Sequence, residues 1–221
     1  MVKAAIFDFD GTLVDSMWVW DGVATRLLQQ LGRNPKAEDE EKMRDMSLTQ
    51  AAQFLIENYS IEKSVQQIID TCTAIVEKRY QYVNLKPGIG QLVRWVHGQN
   101  VRCCVLTASP EGVATAALER LGLGDCFEKV TTCEEIGYAK DDPNSFLKIA
   151  EEMGAKPKEC MVLDDSLYAV KAASQAGFKV LAVEDFSQIQ HRAELWSLCT
   201  EYLVPGENLF EKGKKVFCDI S

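Results

Sequence analysis

Four short segments of this sequence place acids, hydroxyls and an amine where apolar runs end. The first is Asp8-Phe9-Asp10-Gly11-Thr12-Leu13, directly after the apolar run Lys3 to Phe7. Two carboxylates two residues apart at a strand end face one side if the extended geometry continues, and Gly11 lets the chain turn away sharply. One carboxylate can then attack an electrophile while the other moves protons. The plain alternative is a strand-to-helix turn capped by an Asp. The second segment, Val162-Leu163-Asp164-Asp165-Ser166, again ends an apolar run in adjacent acids. Its plain alternative is helix capping by Asp165 or Ser166. The third, Leu106-Thr107-Ala108-Ser109-Pro110, sets hydroxyls and free backbone N–H groups at a helix start, which makes an anion site. Thr107 is the better phosphate ligand of the two, and Ser109 reads as an ordinary cap. The fourth is Lys140 in Tyr138-Ala139-Lys140-Asp141-Asp142-Pro143. It would supply positive charge to an anion, although Asp141 and Asp142 are also positioned to pair with it.

These residues cooperate only if the fold gathers them. Runs too short for helices recur at Lys3–Phe7, Arg102–Leu106, Lys129–Thr132, Cys160–Leu163 and Lys179–Val183 and read as buried strands. Between them lie helical patterns. Pro110–Leu121 opens on a Pro and stops before Gly122, Pro143–Met153 stops before Gly154, and Ser166–Ala176 stops before Gly177. Strands alternating with helices predict an α/β fold with a Rossmann-like, doubly wound parallel sheet. In such sheets neighbouring strand ends open onto one crevice, so Asp8, Asp10, Asp164 and Asp165 could converge. Each like-charge pair at about 4 Å costs on the order of 4 kcal/mol at an effective dielectric of 20, so the cluster calls for a cation. Oxygen-only ligands select a hard ion, and Mg²⁺ is the one that works with phosphates.

The stretch from Ser16 to Leu85 has no strand-like run. Trp20, Val23, Leu27 and Leu31, then Leu48, Ala51, Leu55 and Tyr59, then Val65, Ile68, Cys72, Ile75 and Arg79 keep helical spacing. The organisation expected is a catalytic core of residues 1–15 and 85–221 with an inserted α-helical cap domain, 16–84, placed as a candidate lid. Trp18 and Trp20 open that insert; one of them faces a substrate or both pack within the cap. The acidic run Glu38–Glu41 reads as a solvated helix start.

The chain has 221 residues and a net charge of −9, which argues against nucleic acid or an anionic membrane as partner. Eight cysteines form no CxxC pair, so zinc is not expected. With no signal peptide in MVKAAIFDFD, reduced thiols and a cytoplasmic address are expected. No apolar stretch approaches membrane-spanning length. A monomer is the expected state.

Taken in order, the four segments resemble the haloacid dehalogenase superfamily of phosphohydrolases, whose pattern is DxDGT, a strand-end Thr or Ser, a Lys and an acidic pair. The resemblance spans Asp8 to Asp165 and is supported by Asp15-Ser16 and by Ala172-Ala173 to Ala176-Gly177. The helical-cap subgroup is most similar, in particular its β-phosphoglucomutase-like and phosphoglycolate-phosphatase-like members. The resemblance implies a Mg²⁺-dependent phosphatase acting on a small phosphorylated metabolite. Asp8 would be nucleophile, aspartyl-phosphate site and metal ligand. Asp10 would be general acid, then base, and a metal ligand through its backbone carbonyl. Thr107 and Lys140 would hold the phosphoryl group. Asp165 would bind metal, with Asp164 a direct or outer ligand. Two features depart from the pattern: Lys140-Asp141-Asp142-Pro143 replaces Lys-Pro-x-Pro, and Asp164 stands where Glu is commoner.

The rivals are a sugar-phosphate mutase, a dehalogenase proper and a phospho-acceptor signalling or regulatory binding module. Trp20 and Leu48 occupy cap positions where the mutase carries substrate-handling His and Arg, which counts against mutase chemistry. Asp10 argues against the dehalogenase. A phospho-acceptor module lacks the helical insert and carries its acceptor on a later strand. His97 and His191, the only histidines, lie in no motif, so a Ser/His/Asp triad is unsupported.

Overall fold

The run Ala4–Phe7 (β1) is buried along its whole length, the pattern of a strand covered on both faces. It is the centre of the fold. A computed structural model describes residues 2–43, 46, 48–206 and 208–219. The remaining strands in chain order are Val14–Asp15 (β2), Asn84–Leu85 (β3), Arg102–Thr107 (β4), Lys129–Thr132 (β5), Cys160–Asp164 (β6), Lys179–Val183 (β7) and Glu201–Leu203 (β8). Six of them form one sheet in the order β5-β4-β1-β6-β7-β8, and every pairing in it is parallel. The helices are Val23–Gln30 (α1), Ala37–Met43 (α2), Leu48–Tyr59 (α3), Val65–Tyr80 (α4), Ile89–Gly98 (α5), Glu111–Arg120 (α6), Cys133–Ile136 (α7), Pro143–Glu152 (α8), Leu167–Gln175 (α9), Arg192–Leu198 (α10) and Leu209–Asp219 (α11).

The core is thus a Rossmann-like α/β fold. The chain leaves β1 to one side through β4 and β5, then returns to the other side through β6, β7 and β8. The order reverses at β1, whose neighbours are β4 and β6. Register sets the strand ends nearly level: Phe7 pairs with Val105 and Leu163, so Asp8 and Asp164 emerge side by side and Thr107 lies one residue further along β4. The core beneath that edge is built from alternating apolar residues of the strands, such as Ile6, Leu106, Val162 and Val180, packed on Phe146 and Ile149 of α8 and Ala169, Val170 and Ala173 of α9.

Two compact units divide the chain: Met1–Ser16 with Val83–Ser221, and Met17–Tyr82. The second unit is helical. In α4, Ser64 accepts from the backbone of Gln67 while the Gln67 side chain accepts from the Ser64 N–H, a capping box that fixes the helix start. The periodic residues Leu27, Leu55, Ile68, Cys72 and Val76 are buried. Arg79 donates to the carbonyls of Val19 and Asp21 at 2.7 and 2.6 Å, which ties the Trp18–Trp20 loop to α4. The Glu38–Glu41 reading needs correction at one position. Asp39 is buried, accepting from Tyr59 Oη at 2.6 Å and Lys42 Nζ at 3.0 Å.

Candidate active site

Asp8 closes β1 and is anchored by its backbone N–H, which donates to Leu163 O at 2.8 Å. The chain then reverses within a tight loop, where Leu13 N and Val14 N both donate to Phe9 O, at 3.0 and 3.1 Å. Gly11 makes the reversal with φ of +80°, a conformation that favours glycine. Space demands glycine as well: a Cβ there would lie 2.6 Å from Asp165 Oδ2 and 2.8 Å from Oδ1. The backbone of the first motif therefore rests directly on the carboxylate of the second. Thr12, the next residue and fully buried, donates its hydroxyl to Asp165 Oδ1 at 3.0 Å.

The structure gathers Asp8, Asp164 and Asp165 so that one oxygen of each lies within 4.8 Å of the others, and all three are buried. Lys140, also buried, donates to Asp8 Oδ1 and to Asp164 Oδ2, the latter at 2.9 Å. Asp164 is held on its other side too, its Oδ1 accepting from Ser166 N at 2.9 Å and Ser166 Oγ at 2.6 Å. The hydroxyl of Ser166 thus serves the acidic pair and makes no cap bond to α9. Asp10 lies beside these residues with both carboxylate oxygens engaged by hydroxyls, Ser16 Oγ at 2.6 Å and Ser109 Oγ at 2.5 Å. This corrects the reading of Ser109 as a helix cap: Pro110 fills the cap position of α6 and Ser109 turns to Asp10. Thr107, fully buried at the end of β4, accepts from Ser109 N at 2.9 Å, which leaves its hydroxyl proton to be donated elsewhere.

The electrostatics follow from crowding. Burial pushes the Asp8 carboxyl up to about 7; Lys140 opposes this, and Asp164 and Asp10 add to it. Asp165 is pushed well above the carboxylate range, first by burial and then by the charges of Asp8 and Asp164. Burial works against the charge on Lys140, yet Asp164 and Asp8 outweigh it and hold the amine protonated far above its ordinary value. With all three buried acids ionised, one cation among them would leave an excess of negative charge. The donor set is all oxygen, close together and short of positive charge, and so fits a hard divalent ion such as Mg²⁺.

Sequence reasoning did not find Thr12 and Ser166 as supports of the acidic pair, nor the buried ion pair Lys86–Asp185, 2.7 Å long. Asp142, a departure from the expected motif, caps α8 by accepting from Asn144 N at 2.9 Å. His97 is exposed and His191 lies in the turn before α10; neither is among the polar partners of the site. Among the described residues no helix is long and apolar enough to cross a membrane.

A parallel sheet that reverses its order at β1, sets acids and hydroxyls on three adjoining strand ends and brings a lysine to them from the turn before α8 has the form of an α/β enzyme with its candidate site at the switch point. Residues 5–183 match the family described as Haloacid dehalogenase-like hydrolase. The chain belongs to that family of hydrolases. Among its relatives, Hexitol phosphatase B of Escherichia coli strain K12 is 29% identical over 189 residues, 82% of this chain and 83% of the relative. A Drosophila melanogaster protein named "Probable pseudouridine-5'-phosphatase" is 28% identical over 190 residues, 83% of this chain and 82% of the relative. The crystal structure of CbbY from Rhodobacter sphaeroides in complex with phosphate superposes with a TM-score of 0.78 at 20% identity, covering 92% of this chain and 94% of that one. That likeness shows the fold.

Proposed function

We propose that this enzyme is a Mg²⁺-dependent phosphatase that hydrolyses a small phosphorylated metabolite through an aspartyl-phosphate on Asp8. The observation that carries this reading is the bridging of Asp8 and Asp164 by Lys140, with Asp165 beside them, at the strand ends flanking β1. The names of the relatives, phosphatases of small phosphorylated molecules, support the substrate class.

Asp8, the Asp10 backbone carbonyl and Asp165 would hold the metal. Asp164, with both oxygens accepting from protein donors, suits an outer position that steadies Lys140. Bound there, Mg²⁺ supplies charge neutralisation for the carboxylates and the phosphoryl oxygens. Lys140 and the Thr107 hydroxyl orient the phosphoryl group. An Asp8 oxygen attacks phosphorus as Asp10 protonates the leaving alcohol; Asp10 then takes a proton from water, which attacks the acyl phosphate and releases phosphate and Asp8. The hydroxyls of Ser16 and Ser109 fix the Asp10 carboxylate for both transfers. The division of labour is a catalytic core of residues 1–15 and 85–221 and a helical cap, 16–84, that selects the substrate. Eight thiols, all free, support a reducing cytoplasmic location.

Intact-mass measurement after acid quench tests the scheme. With an activated aryl phosphate and Mg²⁺, Asp10→Asn should accumulate a phosphoryl adduct while Asp8→Asn shows none. General acid–base help worth about 10²–10⁴-fold leaves the trapped species long-lived. An adduct on Asp8→Asn alone would reverse the two roles, and full wild-type turnover in EDTA would remove the metal.

A further inference from the structure

Every group assigned so far serves the phosphoryl end of a substrate, and the leaving group needs a surface of its own. In the unit that carries the sheet, Tyr168 is placed to offer one. Ser166 directly precedes α9, and its N–H and hydroxyl donate to Asp164 Oδ1 at 2.9 and 2.6 Å, so the helix start lies against the acidic pair. Lys140 donates to the other oxygen of that carboxylate at 2.9 Å. Tyr168 is the second residue of α9, two positions beyond Ser166, a separation that spans at most about 7 Å of chain. Helical side chains lean towards the N-terminus of their helix, and for Tyr168 that direction is the end of β6. The first turn is held from outside as well, Leu167 N donating to Gln188 Oε1 at 3.4 Å.

A lone exposed tyrosine means little by itself. This one is set apart by the difference between its two ends. Ala169 and Val170 turn inward and are fully buried, whereas Tyr168 is 51% exposed. Its phenol nevertheless interacts with the Ser166 side chain, lies within the field of Lys140, and is raised above its ordinary range by burial. The hydroxyl end is thus sunk beside the polar site, and the exposure belongs to the ring.

We propose that the half-exposed ring of Tyr168 is a specificity-determining contact for the leaving group, favouring phosphate esters whose leaving group presents a flat, apolar face, such as an aromatic or heteroaromatic ring, over open-chain polyol phosphates. The inference rests on the phosphatase reading above and adds a substrate class to it. Anchored at its hydroxyl end, the ring is ordered before a substrate arrives, so little freedom is lost on contact.

The experiment titrates phenylphosphonate and ethylphosphonate, which cannot be hydrolysed, into the Mg²⁺-loaded wild type, Tyr168→Ala, Tyr168→Phe and Trp196→Ala by calorimetry. Trp196 is the surface control, 58% exposed and stacked on Tyr202 of β8 at 5.6 Å. Tyr168→Ala should raise the Kd for phenylphosphonate by about 2–12-fold, the worth of one aromatic pair, and barely change that for ethylphosphonate. Tyr168→Phe keeps the ring and should keep the phenyl preference, and Trp196→Ala should match wild type. Should Tyr168→Ala fold poorly, Tyr168→Leu retains apolar bulk without the flat face and should show the same selective loss. Should the phosphonates bind too weakly to titrate, KM for phenyl phosphate against glycerol phosphate gives the same comparison. Equal losses for the two ligands, no loss for either, or a lost preference in Tyr168→Phe overturns the ring contact. A wild type that neither binds the phosphonates nor turns over phenyl phosphate instead overturns the phosphatase reading on which it stands.

Discussion

Gly11→Ala adds one carbon at the point where two motifs touch. The left-handed backbone at φ +80° costs a Cβ-bearing residue about 1–2 kcal/mol. The added Cβ would also sit 2.6, 2.7 and 2.8 Å from three atoms of the Asp165 carboxylate. That carboxylate is buried and held by Thr12, so overlap adds about 1–3 kcal/mol as the loop or Asp165 shifts. The combined loss, about 2–5 kcal/mol, would lower the thermal midpoint by roughly 4–20 °C in a chain of this size. Displacing Asp165 should also weaken Mg²⁺ binding and phosphatase turnover by about 10–100-fold, the usual effect of disturbing a ligand's support. Gly177→Ala is the control: its φ is +83°, and a Cβ there meets nothing within 4 Å. Calorimetric scans and Mg²⁺ titration of both variants decide the matter. Equal midpoint losses, with Mg²⁺ affinity intact in Gly11→Ala, would refute the argument that Gly11 is required by its contact with Asp165.

Thr12→Val keeps the shape of the buried side chain and removes its donor to Asp165. It should cost about 1 kcal/mol in denaturant unfolding but about 10-fold in Mg²⁺ affinity, and an unchanged affinity would dismiss Thr12 as a support. Asp8 and Asp165 have folded pKa values raised above their unfolded ones, so the stability they contribute is full below the carboxylate range and is lost as pH rises through the folded values. The metal-free protein should therefore lose thermal stability between about pH 4 and pH 8, with saturating Mg²⁺ flattening the decline. A flat metal-free profile, or the same slope with Mg²⁺, would contradict it.

Much of the core was legible because parallel strands leave short runs of apolar and β-branched residues between helical patterns. Lys129–Thr132 and Lys179–Val183 match their strands residue for residue, and the others differ by one residue at an end. Strand β8 escaped because Glu201-Tyr202-Leu203 is a short edge strand with an acid at its start. The residues named for the site were those whose chemistry shows in isolation, acids and an amine at strand ends. Their supports were hidden because a hydroxyl advertises no partner. Thr12 meets Asp165 across 153 positions, and Ser109 meets Asp10 across 99. Ser109 looked like a cap because it precedes a helix; the intervening Pro110 moved the helix start and freed the hydroxyl for Asp10. Lys86–Asp185 gave no local signal, since neither residue lies in a motif.

The central position of β1 has a consequence for how the molecule comes into being. The strand that carries Asp8 waits for β4 on one edge and for β6, more than 150 residues downstream, on the other. Through most of synthesis one edge of Ala4–Phe7 is unpaired, and an unpaired apolar edge invites contact with other chains. Loop-closure entropy must be met before the β1–β6 pairing returns any stability, which makes that pairing a late and slow event. A chain interrupted between Lys140 and Cys160 would carry Asp8, Asp10, Thr107 and Lys140 without Asp164 and Asp165, the acids that complete their grouping. On the function proposed above, chemical competence would arrive only once β6 has joined the sheet, and shorter chains would be inert.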